Sequence, residues 1–416
     1  MSNDDKPMNP GPGELPDDQL PSEQGTPDIL PGEHPATPSA VHDTAGLEPG
    51  GLVDEGVQPD DAVGRGEGTG EAKEVEGLSQ GQIVWRRFVR HKGAMSGLAV
   101  LVLIALLAIS ARGLGPIPGW WPKQPLASGT MIGRGEPTLT LPTWLGGPGF
   151  NIGEHPFGQD NLGADNFAAV MAGIQTSLLV MLVLGATSLL VGVTVGALSG
   201  YYRGKLDTLL MRVTDLFITL PVIVIGAVLG KLLSAAPEKF GLSIEASQAI
   251  KGNMPLLLGL ALGLVLWPSM ARLVRAEFLG LREREFVDSA RVAGATDWRI
   301  ITKHILPNAI GVIIVNTTLL MSTAVVLETA LSYLGFGISA PSVSLGNLIS
   351  INQGAFQTRP WLFWWPGLFI ILMALSINFI GDGLRDAFDP RTKRIPSKRE
   401  MDKALAAAQA EKEVAR

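Results

Sequence analysis

Two acidic residues stand inside otherwise apolar runs: Asp215 in RVTD and Glu328 in VVLETALSYLG. A carboxylate at membrane depth is costly, so it commonly serves a transport path, a proton relay or a contact between helices. Asp215 lies close enough to the end of its run to pair with Arg212 or to reach toward water. Glu328 is deeper. It can meet a peptide amine, gate a cavity or hydrogen-bond a neighbouring helix, of which helix contact is the simplest role. Neither belongs to an arrangement that makes or breaks bonds, because the chain has no Ser-His-Asp order, no HExxH and no paired intramembrane carboxylates. A phosphate-cradling G-x-x-x-x-G-K-[ST] loop is also missing: GKLD and GKLL lack both the final Ser or Thr and the loop before it. The absence of cysteine excludes disulfides, thiolate zinc sites and thiol redox chemistry. The five histidines have no metal-ligand spacing, so His91, His155 and His304 read as interface or loop residues.

The elements that carry these residues are apolar runs of about 18 to 25 residues, the length that crosses a bilayer's hydrocarbon core. The expected fold is an all-α membrane protein of six spans, near 95–111, 172–198, 208–233, 255–273, 309–334 and 362–380. Gly185, Ser188, Gly192 and Gly196 recur inside the second run at a spacing that lets helix backbones approach closely. Arg86, Arg87, Arg90 and Lys92 flank the first span, and Arg203 and Lys205 separate the second from the third. Six further basic residues lie between the fourth and fifth, and Arg391, Lys393, Arg394, Lys398 and Arg399 follow the sixth. By the positive-inside rule these ends and both termini are cytoplasmic. Trp120, Trp121, Trp361, Trp364 and Trp365 then fall at exterior boundaries, where tryptophan anchors a helix.

The net charge of -6 is an average that hides a strongly acidic start. Residues 1–80 are rich in Pro, Gly, Asp and Glu and poor in large apolar side chains, which predicts a disordered cytoplasmic tail without a secretory signal. Residues 81–394 form the membrane domain, and 395–416 a short charged tail. Because a tail of this composition contributes no core, deletion of Met1–Gln80 is expected to leave assembly with partner subunits intact. Co-purification of the truncated chain checks this, and loss of the partners would make the tail structural.

The connection EREFVDSARVAGATDWRIITKHILPNA between the fourth and fifth spans is amphipathic where an ordinary loop would be short and polar. It predicts two short helices. Phe286, Ala290 and Ala293 share a face of the first; Gly294 supplies a left-handed turn that ends it; Thr296 or Asp297 caps the second. Trp298, Ile301 and Ile305 share a face of the second, and Pro307 suits an abrupt change of direction into the fifth span. The product is a compact basic knob that either lies on anionic lipid or docks a cytoplasmic partner.

Asp288-Ser289-Ala290, Gly294 after three intervening residues, and Ile305-Leu306-Pro307 resemble the EAA loop of bacterial ABC importer permeases, with Asp and Ser in place of the first Glu and Ala. HPFGQDNLGAD (155–165), GYYRGKLDTLLMRVTDLFITLP (200–221), LSYLGFG and NFIGDGLRDAFDPR extend the resemblance over about 80–394 and narrow it to the second, C-type permease subunit of dipeptide and oligopeptide importers. Three departures stand out: Ala164 for the usual Arg of LGRD, Leu345 for the usual Trp, and long insertions at 113–150 and 234–254.

The resemblance implies a type I ABC importer permease fold whose 283–307 loop inserts into a groove of an ATPase subunit. Phe286, Asp288, Ser289, Ala290, Ala293, Gly294, Trp298, Leu306 and Pro307 would carry that coupling, with Asp215 and Glu328 as candidates for the translocation path. It implies a second homologous permease, two ATPase domains on separate chains or one fused chain, and an extracytoplasmic lipid-anchored binding protein. ATP and magnesium would be bound by the partners, with no cofactor in this chain and no nucleic acid involved. Nickel chelate or glutathione is the alternative cargo within the family. Outside it stand a passive channel, which needs no coupling knob, and a secondary transporter, which usually carries midplane charges and an internal repeat.

Overall fold

Helix dominates because a long apolar run can satisfy its backbone groups in lipid only within itself. The computed structural model describes residues 80–389, so the expectations for both terminal tails, including Arg391, Lys393, Arg394, Lys398 and Arg399, lie outside the described residues. The basic stretch before the first apolar run is a helix of its own, α1 (Gln80–Arg90), which buries Phe88 beside Ala387. His91 ends it and starts α2 (Lys92–Arg112): its Nδ1 accepts from Ala94 N at 3.0 Å, and its Nε2 lies 3.3 Å from Asp386 Oδ2.

Then follow α3 (Asn166–Tyr202), α4 (Gly204–Thr219), α5 (Val222–Lys239), α6 (Ile244–Gly252) and α7 (Met254–Leu281). After them come α8 (Glu285–Val292), α9 (Asp297–Arg299), α10 (Leu306–Tyr333), α11 (Leu345–Asn352) and α12 (Trp361–Phe388). Among the described residues five helices are long and apolar enough to cross a membrane, or six if α4 and α5 count as one broken span.

Small residues set the main packing. A Cβ on Gly196 of α3 would lie 2.5 Å from Ala271 O of α7, and one on Gly192 2.6 Å from Met270 Cβ, so these two helices touch backbone to side chain. Gly185 meets Met321 of α10 in the same way, and Ser188 is fully buried. α12 closes the bundle against α2, where Gly97 faces Ser376 O.

The run expected as one third span is two helices that meet at 84°. Leu220 is extended (φ -86°, ψ 131°) because the ring of Pro221 disfavours helical backbone in the residue before it. The 234–254 insertion is helical too, with the Ser243 hydroxyl capping α6.

At the end of the bundle that carries α11, residues 113–165 form an ordered cap rather than a loose loop. It begins with a two-residue hairpin, β1 (Gly113–Leu114) with β2 (Ile117–Pro118). Gln159 ties the 130–132 segment to its own turn, accepting from Ile132 N and donating to Thr130 O and Gly163 O. Asp165 caps α3 through Ala168 N, accepts from Trp121 Nε1 at 2.7 Å and lies 2.8 Å from His155 Nδ1. Two tryptophans expected as anchors are therefore built into the cap: Trp121 by that bond, and Trp365 by stacking on Phe157 at 3.9 Å. Trp120 and Trp364 remain exposed.

Candidate functional site

The segment between α7 and α10 is a two-sided object. Its inner side is apolar: Val287 and Ala290 of α8 pack with Ile300, Ile301 and Ile305, and the cluster continues into Val274 and Phe278 of α7. Its outer side mixes apolar residues with charged ones, Glu285, Asp288, Arg291 and Arg299 being exposed there. Val292 is 90% exposed and Trp298 69% exposed, and Phe286, Ala293 and Gly294 are exposed beside them. Exposed large apolar side chains grouped on one outward surface mark a site for a partner.

Gly294 ends α8 at φ +80°, as its type predicts. Ala295 N–H reaches Ala290 O and Gly294 N–H reaches Arg291 O, the paired bonds of a left-handed helix terminus. A Cβ on Gly294 would meet nothing within 4 Å. Asp288 and Ser289 sit outward on α8, the former accepting from Arg291 at 3.0 Å and the latter donating to Glu285 O.

Three details depart from the helical-wheel reading. The buried face of α8 is Val287 and Ala290, so Phe286 and Ala293 lie outside the face they were expected to share with Ala290. Trp298 does not share a face with Ile301 and Ile305, because residues Ile300–Ile305 are wound as a π-helix whose extra residue per turn shifts the register. The direction does not change at Pro307 either: helix runs continuously from Asp297 to Tyr333. The wider turn, in which Leu306 N–H bonds Ile301 O, absorbs a residue with no N–H to give, and Leu306 and Pro307 simply begin α10. Thr296 occupies the cap position of α9 without a side-chain bond, while the Asp297 carboxylate is engaged elsewhere.

That engagement is the mounting of the segment. Tyr201, near the end of α3, donates its hydroxyl to Asp297 Oδ1 at 2.6 Å. Arg282 donates to the Tyr201 carbonyl and sits over its ring, 5.5 Å from the centroid. Arg203, at the positive-φ corner between α3 and α4, pairs with Glu283 at 2.5 Å and holds that exposed carboxyl below its ordinary value. One turn further, Asp207 receives both arms of Arg275 at 2.6 and 2.7 Å and the Ser199 hydroxyl at 2.5 Å. The segment is thus fastened by charge-assisted bonds to the α3–α4 corner, which Asp207 and Arg275 in turn tie to α7. Sequence reasoning missed Tyr201, Asp207 and Arg275, whose partners lie 68 to 96 residues away.

The two intramembrane acids have different surroundings. Asp215 pairs with Arg272 of α7 at 2.5 Å and not with Arg212, both partners being about half exposed. Glu328 is fully buried, and three serine hydroxyls donate to it: Ser177 of α3 at 2.9 Å, Ser332 at 2.8 Å, and Ser344, the cap of α11, at 2.6 Å. It has no exposed surface in this conformation, so of its possible roles the geometry supports the helix contact.

A family model described as a binding-protein-dependent transport system inner membrane component matches residues 192–394, and one described as the N-terminal TM domain of oligopeptide transport permease C matches residues 79–125. A putative peptide transport system permease protein of Brucella abortus biovar 1 (strain 9-941) is 36% identical over 309 residues, covering 74% of this chain and 91% of the relative. The oligopeptide transport system permease protein OppC of Mycobacterium tuberculosis (strain ATCC 25618 / H37Rv) is 33% identical over 321 residues, covering 77% and 98%. Among solved structures, an inward-facing MetNI methionine ABC transporter is similar over 53% of this chain and 97% of its own, at 23% identity and a TM-score of 0.39.

Proposed function

The chain belongs to the oligopeptide-transport permease family of binding-protein-dependent importers, and from that premise we propose that it carries di- and oligopeptides across the cytoplasmic membrane. The observation that supports the reading is the two-sided segment at 283–307. It is fastened inward to the end of α3 and packed on α7, and it leaves the large apolar side chains of Phe286, Val292 and Trp298 exposed.

In this reading the surface formed by Phe286, Val292, Ala293, Gly294 and Trp298 enters a groove on an ATP-binding-cassette subunit. Closure of two such subunits around ATP drives the segments of two paired permeases together. A rigidly mounted segment then passes that displacement to the spans, which alternate access for the cargo. Nucleotide and magnesium stay with the ATPase, both termini face the cytoplasm, and a lipid-anchored binding protein delivers cargo to the α11 end. This chain performs no covalent step of its own.

Purification of the tagged chain from its host in mild detergent, with mass spectrometry of co-purifying proteins and an ATPase assay with di- and tripeptides, tests this. Recovery of a second permease, an ATPase and a binding protein, with peptide-stimulated hydrolysis, is the expected result. Recovery of the chain alone would overturn the coupling reading and favour a channel.

The mounting gives a sharper expectation. Tyr201→Phe removes one hydrogen bond to a carboxylate, a loss of about 1.5–3 kcal/mol, while keeping the ring under Arg282. Peptide uptake per ATP hydrolysed in proteoliposomes is expected to fall by about tenfold. A wild-type ratio would remove Tyr201 from the transmission.

A further inference from the structure

Near the middle of α7 and α10 the two helices leave a cavity of about 220 Å³, lined by Ser269, Met270, Asn316, Leu319, Leu320 and Thr323. Asn316 and Leu319 also line a second hollow of about 450 Å³ that extends along α10 as far as Arg385 of α12. Together they form one groove that leads from mid-span toward the α8 end of the bundle.

Its polar groups keep capacity to spare. Asn316 donates its amide to Val312 O at 2.9 Å, and its carbonyl oxygen has no bond among the described residues. Thr323, which is exposed, donates to Leu319 O at 3.2 Å and retains its lone pairs, and Ser269 is exposed on the facing helix. One turn from Ser269 on α7 stands Arg272, paired with Asp215 and, like it, about half exposed. An exposed ion pair within a membrane-length helix is unfavourable against hydrocarbon, so this face is not a lipid face. It contrasts with Glu328, which is fully buried beneath its three serine partners.

Resting on the peptide reading above, we propose that Ser269, Asn316 and Thr323 form a mid-span contact for the main chain of the cargo peptide. An extended peptide leaving water must keep both its N–H and its C=O groups bonded, and hydroxyls and a carboxamide can each donate or accept. Contacts of this kind are blind to side-chain identity. The apolar part of the wall suits the same cargo: Met270 with Leu319 and Leu320 offers a deformable surface to side chains of different shape. The other candidate occupant is a helix of the second permease, which would fill the groove permanently.

The chain has no cysteine, so a single reporter is the only thiol on it and labelling is read on this chain alone. Ser269→Cys and Thr323→Cys are made separately in the full complex in proteoliposomes and treated with a charged, membrane-impermeant thiol reagent, with and without saturating tripeptide. Modification in the absence of cargo, slowed about fivefold or more by the tripeptide, is expected. Asn316→Leu is expected to lower tripeptide uptake about tenfold. Reporters that stay unmodified in every state would show the second permease occupying the groove, and modification that the tripeptide does not slow would show an aqueous wall without cargo contact. Either result overturns the assignment alone. Absence of peptide uptake by the unsubstituted complex would overturn the peptide reading itself, and the assignment with it.

Discussion

Replacing Gly294 with aspartate is expected to reduce ATP-driven uptake about thirtyfold or more while leaving the chain folded and inserted. The two halves of that expectation have separate causes. Gly294 sits at φ +80°, where a side chain costs about 1–2 kcal/mol, and less for Asp or Asn than for other residues. A Cβ there meets nothing within 4 Å, and the apolar cluster under α8 does not involve this position. The spans therefore have no reason to unfold. The outward surface does change: a carboxylate now stands at the exposed end of α8, next to Ala293, and docking must desolvate it without a partner. An unpaired buried charge at an interface costs about 2–5 kcal/mol, and 1.4 kcal/mol is a factor of ten. Gly294→Asn separates the two causes, since it has the same backbone preference and no charge, and it should lose only a fewfold. Uptake by Gly294→Asp at the wild-type rate, with the ATPase still bound, would show that this surface does not dock.

The same segment marks where one-dimensional reasoning succeeds and where it stops. A glycine four residues after Ala290, between two amphipathic stretches, announces a helix end, because few other residues adopt that backbone. The wheel that placed Trp298 with Ile301 and Ile305 failed because it assumed 3.6 residues per turn through a stretch wound as a π-helix. Grouping Ala290 with Phe286 rather than Val287 is an error of one residue, a rotation of about 100° that puts Phe286 beside the buried face instead of on it.

Apolar length revealed the spans but not the break at Leu220–Pro221, since both flanking stretches stay apolar and the hydropathy signal runs through the bend. Pro221 was the available sign, with the residue before it pushed toward extended backbone. Charge partners were the least legible part. Arg212 is the near neighbour of Asp215 in sequence, yet Arg272 lies 57 residues away and is brought close by α7 packing beside α4. Even the unusual Leu345 acquires a reason only in three dimensions, where it is fully buried against Gly173 of α3.

Glu328 provides the second large effect, through a comparison of two substitutions. Its carboxyl group joins three elements that sequence separates: Ser177 on α3, Ser332 on its own helix, and Ser344 at the cap of α11. Ser332 in turn accepts from Ile338 N, and Ser344 from Gly346 N, so the turn after α10 and the start of α11 hang on the same group. Glu328→Ala leaves three buried hydroxyls without their acceptor and opens a void. At about 1–3 kcal/mol for each orphaned group, a loss of roughly 3 kcal/mol or more is expected, together with the cavity term. The measurable consequences are a lower thermal unfolding midpoint in detergent and a smaller yield of assembled complex. Glu328→Gln keeps the volume and the hydrogen bonds: its carbonyl accepts from Ser332 and Ser344, and its amide donates to Ser177, whose oxygen can accept. It should therefore match wild type in stability to within about 1 kcal/mol and transport normally. A carboxylate that met the ammonium end of a peptide would give a different pattern, with Glu328→Gln stable but inactive in uptake. That outcome would return Glu328 to the translocation path, in a conformation that opens the serine nest.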